Sequence, residues 1–136
     1  MPSTLEDKDA IRELFAKYCF YTDSGQVEKY CALFIEDCDW DGGPFGRQQG
    51  RANLLAMLKS GGDAATKLRH HTTNLVVEVN GNEARATSYV TVYGVGEQTP
   101  GIFFVGIYFD HLVRQNGRWL FKQRKIRTDF ADAVVM

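Results

Sequence analysis

Between Leu5 and Thr22 apolar residues recur every three or four positions, at Ile11, Leu14, Phe15, Tyr18 and Tyr21 or Thr22, which predicts one helix with a single buried stripe. Ser3 or Thr4 would cap its start, and Ser24-Gly25 would end it. A second helix is predicted from Gln26 to about Ile35, with Val27, Tyr30, Cys31 and Phe34 on its apolar side. Cys38-Asp39-Trp40-Asp41 reads as a brief strand, Gly42-Gly43-Pro44 as a turn, and Phe45 to Gly50 as another short strand. A third helix, Arg51 to Lys59, carries Leu54, Leu55 and Leu58 and closes at Ser60-Gly61-Gly62.

The period then changes from that of a helix to that of a strand. His71 to Val79, Ala84 to Val95, Ile102 to Arg114 and Arg118 to Thr128 are rich in β-branched and aromatic residues. Asn80-Gly81-Asn82 and Asn116-Gly117 between them are hairpin turns, so these four strands form an antiparallel meander. Helices followed by a hairpin sheet give a single α+β domain whose sheet buries one face under three N-terminal helices. Gly94, Gly96 and Gly106 lie inside the long strands and permit sharp bending. A long bent sheet under helices can enclose a cavity.

Composition narrows the function. The 136 residues carry a formal net charge of −1 with lysine and arginine dispersed, which leaves no basic footprint for nucleic acid or an anionic membrane. No apolar run approaches the ~20 residues of a membrane span. Three cysteines, Cys19, Cys31 and Cys38, lack both paired spacing and neighbouring histidines. They suggest neither a disulfide framework nor a zinc site and fit a reducing cytoplasm. The 17 aromatic residues (9 Phe, 6 Tyr, 2 Trp) suit either a large core or the walls of an apolar pocket.

Two features stand out as chemistry. Asp23 ends the first helix among aromatics, where the helix dipole and low-dielectric walls both oppose its charge, so it needs a compensating partner. His70 and His71 are the candidates, and as neighbours on a strand they face opposite ways. Counting by twos from Leu75, Val77 and Val79 selects His71; a bulge near Thr72-Thr73, or a pocket-facing set built on Asn74 and Val76, would select His70. Arg124 has the same parity conflict with Trp119 and Phe121. The structural alternatives are a capped turn at Asp23 and hydrogen-bonded core histidines.

The order of several motifs resembles a known family. Asp9-Ala10-Ile11-Arg12-Glu13-Leu14-Phe15 leading to Asp23, Phe34-Ile35-Glu36-Asp37-Cys38-Asp39-Trp40, Gly46-Arg47-Gln48-Gln49-Gly50-Arg51, Arg69-His70-His71-Thr72-Thr73-Asn74 and Asn116-Gly117-Arg118-Trp119 followed by Arg124 resemble the SnoaL-like branch of the NTF2-like superfamily. The resemblance runs from about Leu5 to Phe130 and implies a cone-shaped α+β barrel around an apolar pocket. Relatives of that kind include scytalone dehydratase, hexachlorocyclohexane dehydrochlorinase, polyketide cyclases, ketosteroid isomerase and non-catalytic dioxygenase β subunits. Asp23 and His70 fall on the dehydrochlorinase's Asp-His dyad, Trp40 on a pocket tryptophan and Arg124 on a pocket arginine.

What the resemblance implies is an enzyme without metal or organic cofactor, acting on a small apolar or aromatic molecule. His70 would be the general base, Asp23 its orienting carboxylate, and Tyr18 or Arg124 the group that polarises oxygen, with Trp40 and the second histidine, His71, near the substrate. Elimination or dehydration is the first expectation, and isomerisation or cyclisation in the same pocket the second. A non-catalytic ligand binder or assembly subunit is the rival from another class. Thr91 and Tyr93, on the sheet face away from the helices, point to a homodimer, with a trimer as the alternative.

Overall fold

The computed structural model describes residues 4–95 and 101–131. Helix α1 (Thr4–Asp23) buries Asp7, Ile11, Leu14, Phe15, Tyr18 and Cys19, a single stripe at three- and four-residue spacing. The helix ends where Gly25 takes φ 71°, with Gln26 N–H bonded to Tyr21 C=O and Gly25 N–H to Thr22 C=O. That left-handed closure needs a residue without Cβ, so the Ser24-Gly25 stop is physical. Of the two proposed caps, Ser3 lies outside the described residues and Thr4 is already helical.

The second helix is shorter than its apolar spacing suggests. Helix α2 covers only Val27–Cys31, and strand β1 (Phe34–Asp41) has begun where the helix was expected to continue. Phe121 donates its N–H to Leu33 C=O, and Phe34 pairs with Phe121 in parallel. The ladder of a neighbouring strand thus overrides a periodicity that Tyr30, Cys31 and Phe34 satisfy equally well as buried residues. After a 3-10 turn at Gly43–Phe45 comes β2 (Arg47–Gln49), so the short strand expected at Phe45 to Gly50 is narrower. Helix α3 (Arg51–Ser60), a 3-10 turn (Ala64–Lys67) and strands β3 (Leu68–Asn80), β4 (Glu83–Gly94), β5 (Gly101–Gln115) and β6 (Arg118–Ala131) complete the domain. Strand β3 begins three residues before the expected His71 and takes in both histidines.

The sheet has six strands in the order β2-β1-β6-β5-β4-β3. Strands β3 to β6 are the expected antiparallel meander, and β1 adds to β6 in parallel, an arrangement no local pattern announces. The sheet curves over the helices without closing: β2 and β3 are free edges, so the barrel expectation is corrected to an open, strongly bent sheet. No described helix is long and apolar enough to cross a membrane.

Two bulges reverse side-chain parity. Between the Thr73–Tyr89 and Val76–Thr87 pairs β3 carries one residue more than β4, with Asn74 at φ 56°. Between His111–Gln123 and Leu112–Phe121 the extra residue is Lys122 of β6, which is exposed. The first bulge turns His70 and Thr72 onto the face that Leu75, Val77 and Val79 occupy further along. The second turns Arg124 onto the face of Trp119 and Phe121.

Arg124 is fully buried, and its Nε and Nη2 donate to the two oxygens of Asp110, at 2.7 and 3.0 Å. Its guanidinium carbon lies 3.7 Å from the Tyr108 ring centroid, 4.3 Å from those of Tyr18 and Phe121, and 4.7 Å from that of Phe15. Nη1 has no hydrogen-bond partner among the described residues, and the surrounding π faces stand where acceptors would be. Burial opposes the charge on the guanidinium, and Asp110 outweighs it and holds the group firmly charged. Asp110→Asn, which strands that charge, is expected to lose about 3–5 kcal/mol of stability, whereas Asp110→Leu with Arg124→Met recovers most of it. Urea unfolding of the three proteins measures both numbers, and a single-variant loss below about 1 kcal/mol would refute a stabilising role for the pair.

Candidate active site

The bent sheet and the three helices enclose a cavity of about 880 Å³, walled mainly by apolar and aromatic residues. Helix α1 supplies Tyr18 and Tyr21, β1 supplies Trp40, and the inner faces of β3, β4, β5 and β6 supply His70, Val92, Phe104, Tyr108 and Ile126. The segment from Gly61 to Lys67 covers another side and brings Asp63 and Lys67 to the wall.

At the end of α1 the Asp23 carboxylate meets its compensating partner. Oδ1 lies 2.7 Å from His70 Nδ1, and Oδ2 accepts the His70 backbone N–H at 2.9 Å. Both side chains are largely shielded, at 12% and 16% exposure, which strengthens the interaction beyond that of a surface pair. One residue of β3 thus answers both carboxylate oxygens, offsetting the unfavourable helix terminus. An ionised carboxylate can only accept, so a neutral His70 carries its proton on Nδ1 and keeps Nε2 as the basic nitrogen. Four residues earlier on α1, Cys19 Sγ lies 3.4 Å from Thr72 Oγ1, a second rung tying α1 to β3. Burial pushes the Cys19 thiol up, away from nucleophilic use.

Tyr18 occupies the opposite kind of position, a hydroxyl fed by donors. Trp40 Nε1, which can only donate, reaches the Tyr18 oxygen at 3.2 Å, and the Tyr30 hydroxyl donates to it at 2.7 Å. With its oxygen accepting twice, the Tyr18 proton is left for an acceptor in the cavity. Burial raises the Tyr30 phenol well above its ordinary range and keeps it a donor. Gly42 makes room for the indole: a Cβ there would come within 2.4 Å of the Trp40 ring.

Two expected positions are corrected. His71 faces outward, exposed, with its ring edge-on to Tyr93 at 5.3 Å, because the bulge after Thr73 gives the inner face to His70. Arg124 lies behind the wall rather than in it, beneath Tyr18 and Tyr108 and committed to Asp110. His111 pairs with Glu83 at 2.8 Å on the far side of the sheet. Alternation alone singles out neither Tyr30 and Tyr108, which line the cavity, nor Asp110 behind it. Asp110 had a signal: it alternates with Tyr108 and Leu112 on an apolar face, where a carboxylate requires a cation. Among the described residues no group of three or more His, Cys, Asp or Glu is placed to hold a metal ion.

Known proteins share this architecture. The model of the SnoaL-like domain family matches residues 3–125. A provisionally named scytalone dehydratase from Novosphingobium aromaticivorans is 31% identical, with a TM-score of 0.80 over 93% of this chain and 86% of its own. Rv3472, a protein of unknown function from Mycobacterium tuberculosis, is 29% identical, with a TM-score of 0.83 over 95% of this chain and 82% of its own. An NTF2-like protein with a cystatin-like fold, also from N. aromaticivorans, is 26% identical, with a TM-score of 0.84 over 96% of this chain and 87% of its own. No curated protein sequence matches the chain.

The Asp23 contacts predict the state of the imidazole. Ring ¹⁵N shifts of neutral His70 are expected to show Nδ1 protonated and Nε2 bare, with the preference weakened in Asp23→Asn. A neutral ring protonated on Nε2 would overturn the assignment of the basic nitrogen.

Proposed function

The chain belongs to the SnoaL-like domain family, which includes lyases and isomerases, and from that premise we propose that it is a cofactor-independent lyase acting on a small, largely apolar or aromatic carbonyl compound. The observation that carries the reading is the Asp23–His70 contact at 2.7 Å on the wall of a cavity with few charged groups. A histidine so oriented has a lone pair at Nε2 and a carboxylate ready to stabilise the imidazolium that forms when the lone pair is used. The name of the Novosphingobium relative denotes loss of water, which is consistent with elimination.

His70 Nε2 takes the proton from the carbon next to a ketone, and the C–H electrons move into the enolate. The Tyr18 hydroxyl, backed by Trp40 and Tyr30, donates to the enolate oxygen. The enolate then collapses, the new C=C bond forms and the β C–O bond breaks. The leaving hydroxide takes the proton back from His70, so one water departs and the imidazole is neutral again. Asp23 moves no proton; it holds the ring and offsets its transient charge. Isomerisation uses the same base with the proton returned to a different carbon.

A panel of aromatic-ring-fused β-hydroxy ketones, followed by ultraviolet absorbance of the conjugated product, tests the reading. His70→Ala and Asp23→Asn are each expected to lose about 10²–10⁴-fold in kcat on the substrate that the wild type turns over. Undiminished turnover in His70→Ala would exclude His70 as the base.

A further inference from the structure

Tyr108 has no assigned role, yet its surroundings differ from those of the other buried tyrosines. It alternates with Asp110 on the inner face of β5, is only 2% exposed and lines the cavity. Tyr30 donates to the Tyr18 oxygen, which also accepts from Trp40, whereas the Tyr108 hydroxyl neither donates to nor accepts from any partner among the described residues and is not sealed inside the protein. A hydroxyl that faces a cavity with no protein partner keeps its proton for whatever occupies the cavity.

The support behind Tyr108 defines what that acceptor is. The Arg124 guanidinium lies 3.7 Å from the centre of its ring, and Asp110 holds that cation in place through two hydrogen bonds. A cation against the π face draws electron density from the phenol and makes its O–H a stronger donor toward negative charge. Burial raises the Tyr108 phenol well above its ordinary range, so it remains a donor. Its ring meets that of Tyr18 edge-on, with centroids 5.9 Å apart, so α1 and β5 bring two tyrosines side by side to the cavity wall.

We propose that Tyr108 is a specificity-determining residue: with Tyr18 it clamps one ligand oxygen that bears or develops negative charge, the oxygen of a ketone passing to enolate or of a phenol. The proposal rests on the carbonyl-elimination reading and deepens it by naming the group that selects oxygen-bearing ligands over hydrocarbons of the same shape. Arg124 acts only through the two rings, as a positioning residue.

Equilibrium binding of 2-naphthol and naphthalene, followed by their fluorescence, tests the clamp without any turnover. The wild type is expected to favour 2-naphthol, and Tyr108→Phe to lose about tenfold of its affinity while naphthalene binding is retained. Retained naphthalene binding also reports that the cavity of the variant is intact. In a series of phenols acidic enough to be ionised at the assay pH, wild-type affinity rises with the basicity of the phenolate oxygen, and Tyr108→Phe flattens that slope. Undiminished 2-naphthol affinity in Tyr108→Phe, or a wild type that binds neither compound, overturns the proposal. Failure of the proton-transfer reading is separate, since it shows as unchanged turnover in His70→Ala.

Discussion

The Arg124–Asp110 pair is the constraint around which the interior is arranged. A bidentate ion pair with both side chains wholly enclosed carries a large desolvation cost, and its mutual attraction repays that cost only in good geometry. Here the geometry comes from adjacent strands in register, Asp110 opposite Arg124, and from four aromatic rings packed around the cation. Phe15 and Tyr18 are donated by α1, so the helix packs on the sheet partly through a charge. The same two strands and the same helix provide the cavity wall directly above. A device that would be an expensive way to fill a core is well suited to polarising the tyrosines that line the cavity, Tyr18 and Tyr108.

The helical stripe of α1, its glycine stop and the four-strand meander were legible because each depends on near-neighbour periodicity. The parallel addition of β1 to β6 was not, since nothing local encodes a partner about 85 residues away. Parity gives the finer lesson. Alternation alone chose His71 and questioned Arg124, and both conflicts dissolve at single extra residues, one beside Asn74 with its positive φ and one at Lys122. Asn tolerates the left-handed region better than most residues, so Asn74 was itself a weak bulge signal. At Lys122 an exposed lysine offers no equivalent sign. Tyr108 was hidden differently: in a strand rich in aromatics, a tyrosine reads as core until its hydroxyl is seen to lack a partner.

Similarity of fold constrains this protein less than its side chains do. The relatives share the bent sheet and helices at 26–31% identity, and one of them has no known function. A scaffold of this kind supplies an apolar-walled cavity, and chemistry enters with the few polar groups that interrupt the wall. In this chain those groups come as two sets: a carboxylate-oriented imidazole from α1 and β3, and hydroxyl donors from α1, α2 and β5.

Helix α1 links the two sets and makes their spacing a property of one rigid element. Tyr18 and Asp23 are five residues apart, about 7.5 Å along a helix axis, so the Tyr18 hydroxyl and the carboxylate that holds His70 cannot move independently. The helix is anchored at both ends by shielded carboxylates. Near its start, Asp7 accepts from Arg114 of β5 and from Trp119 of β6; at its end, Asp23 accepts twice from His70 of β3. Between them, Cys19 meets Thr72, and Phe15 and Tyr18 lie against the Arg124 cation. Sliding α1 by one turn would break every one of these contacts at once. Preorganisation here therefore resides less in any single residue than in a helix held in register by three strands, which sets the His70 imidazole and the Tyr18 hydroxyl at a fixed separation on one cavity.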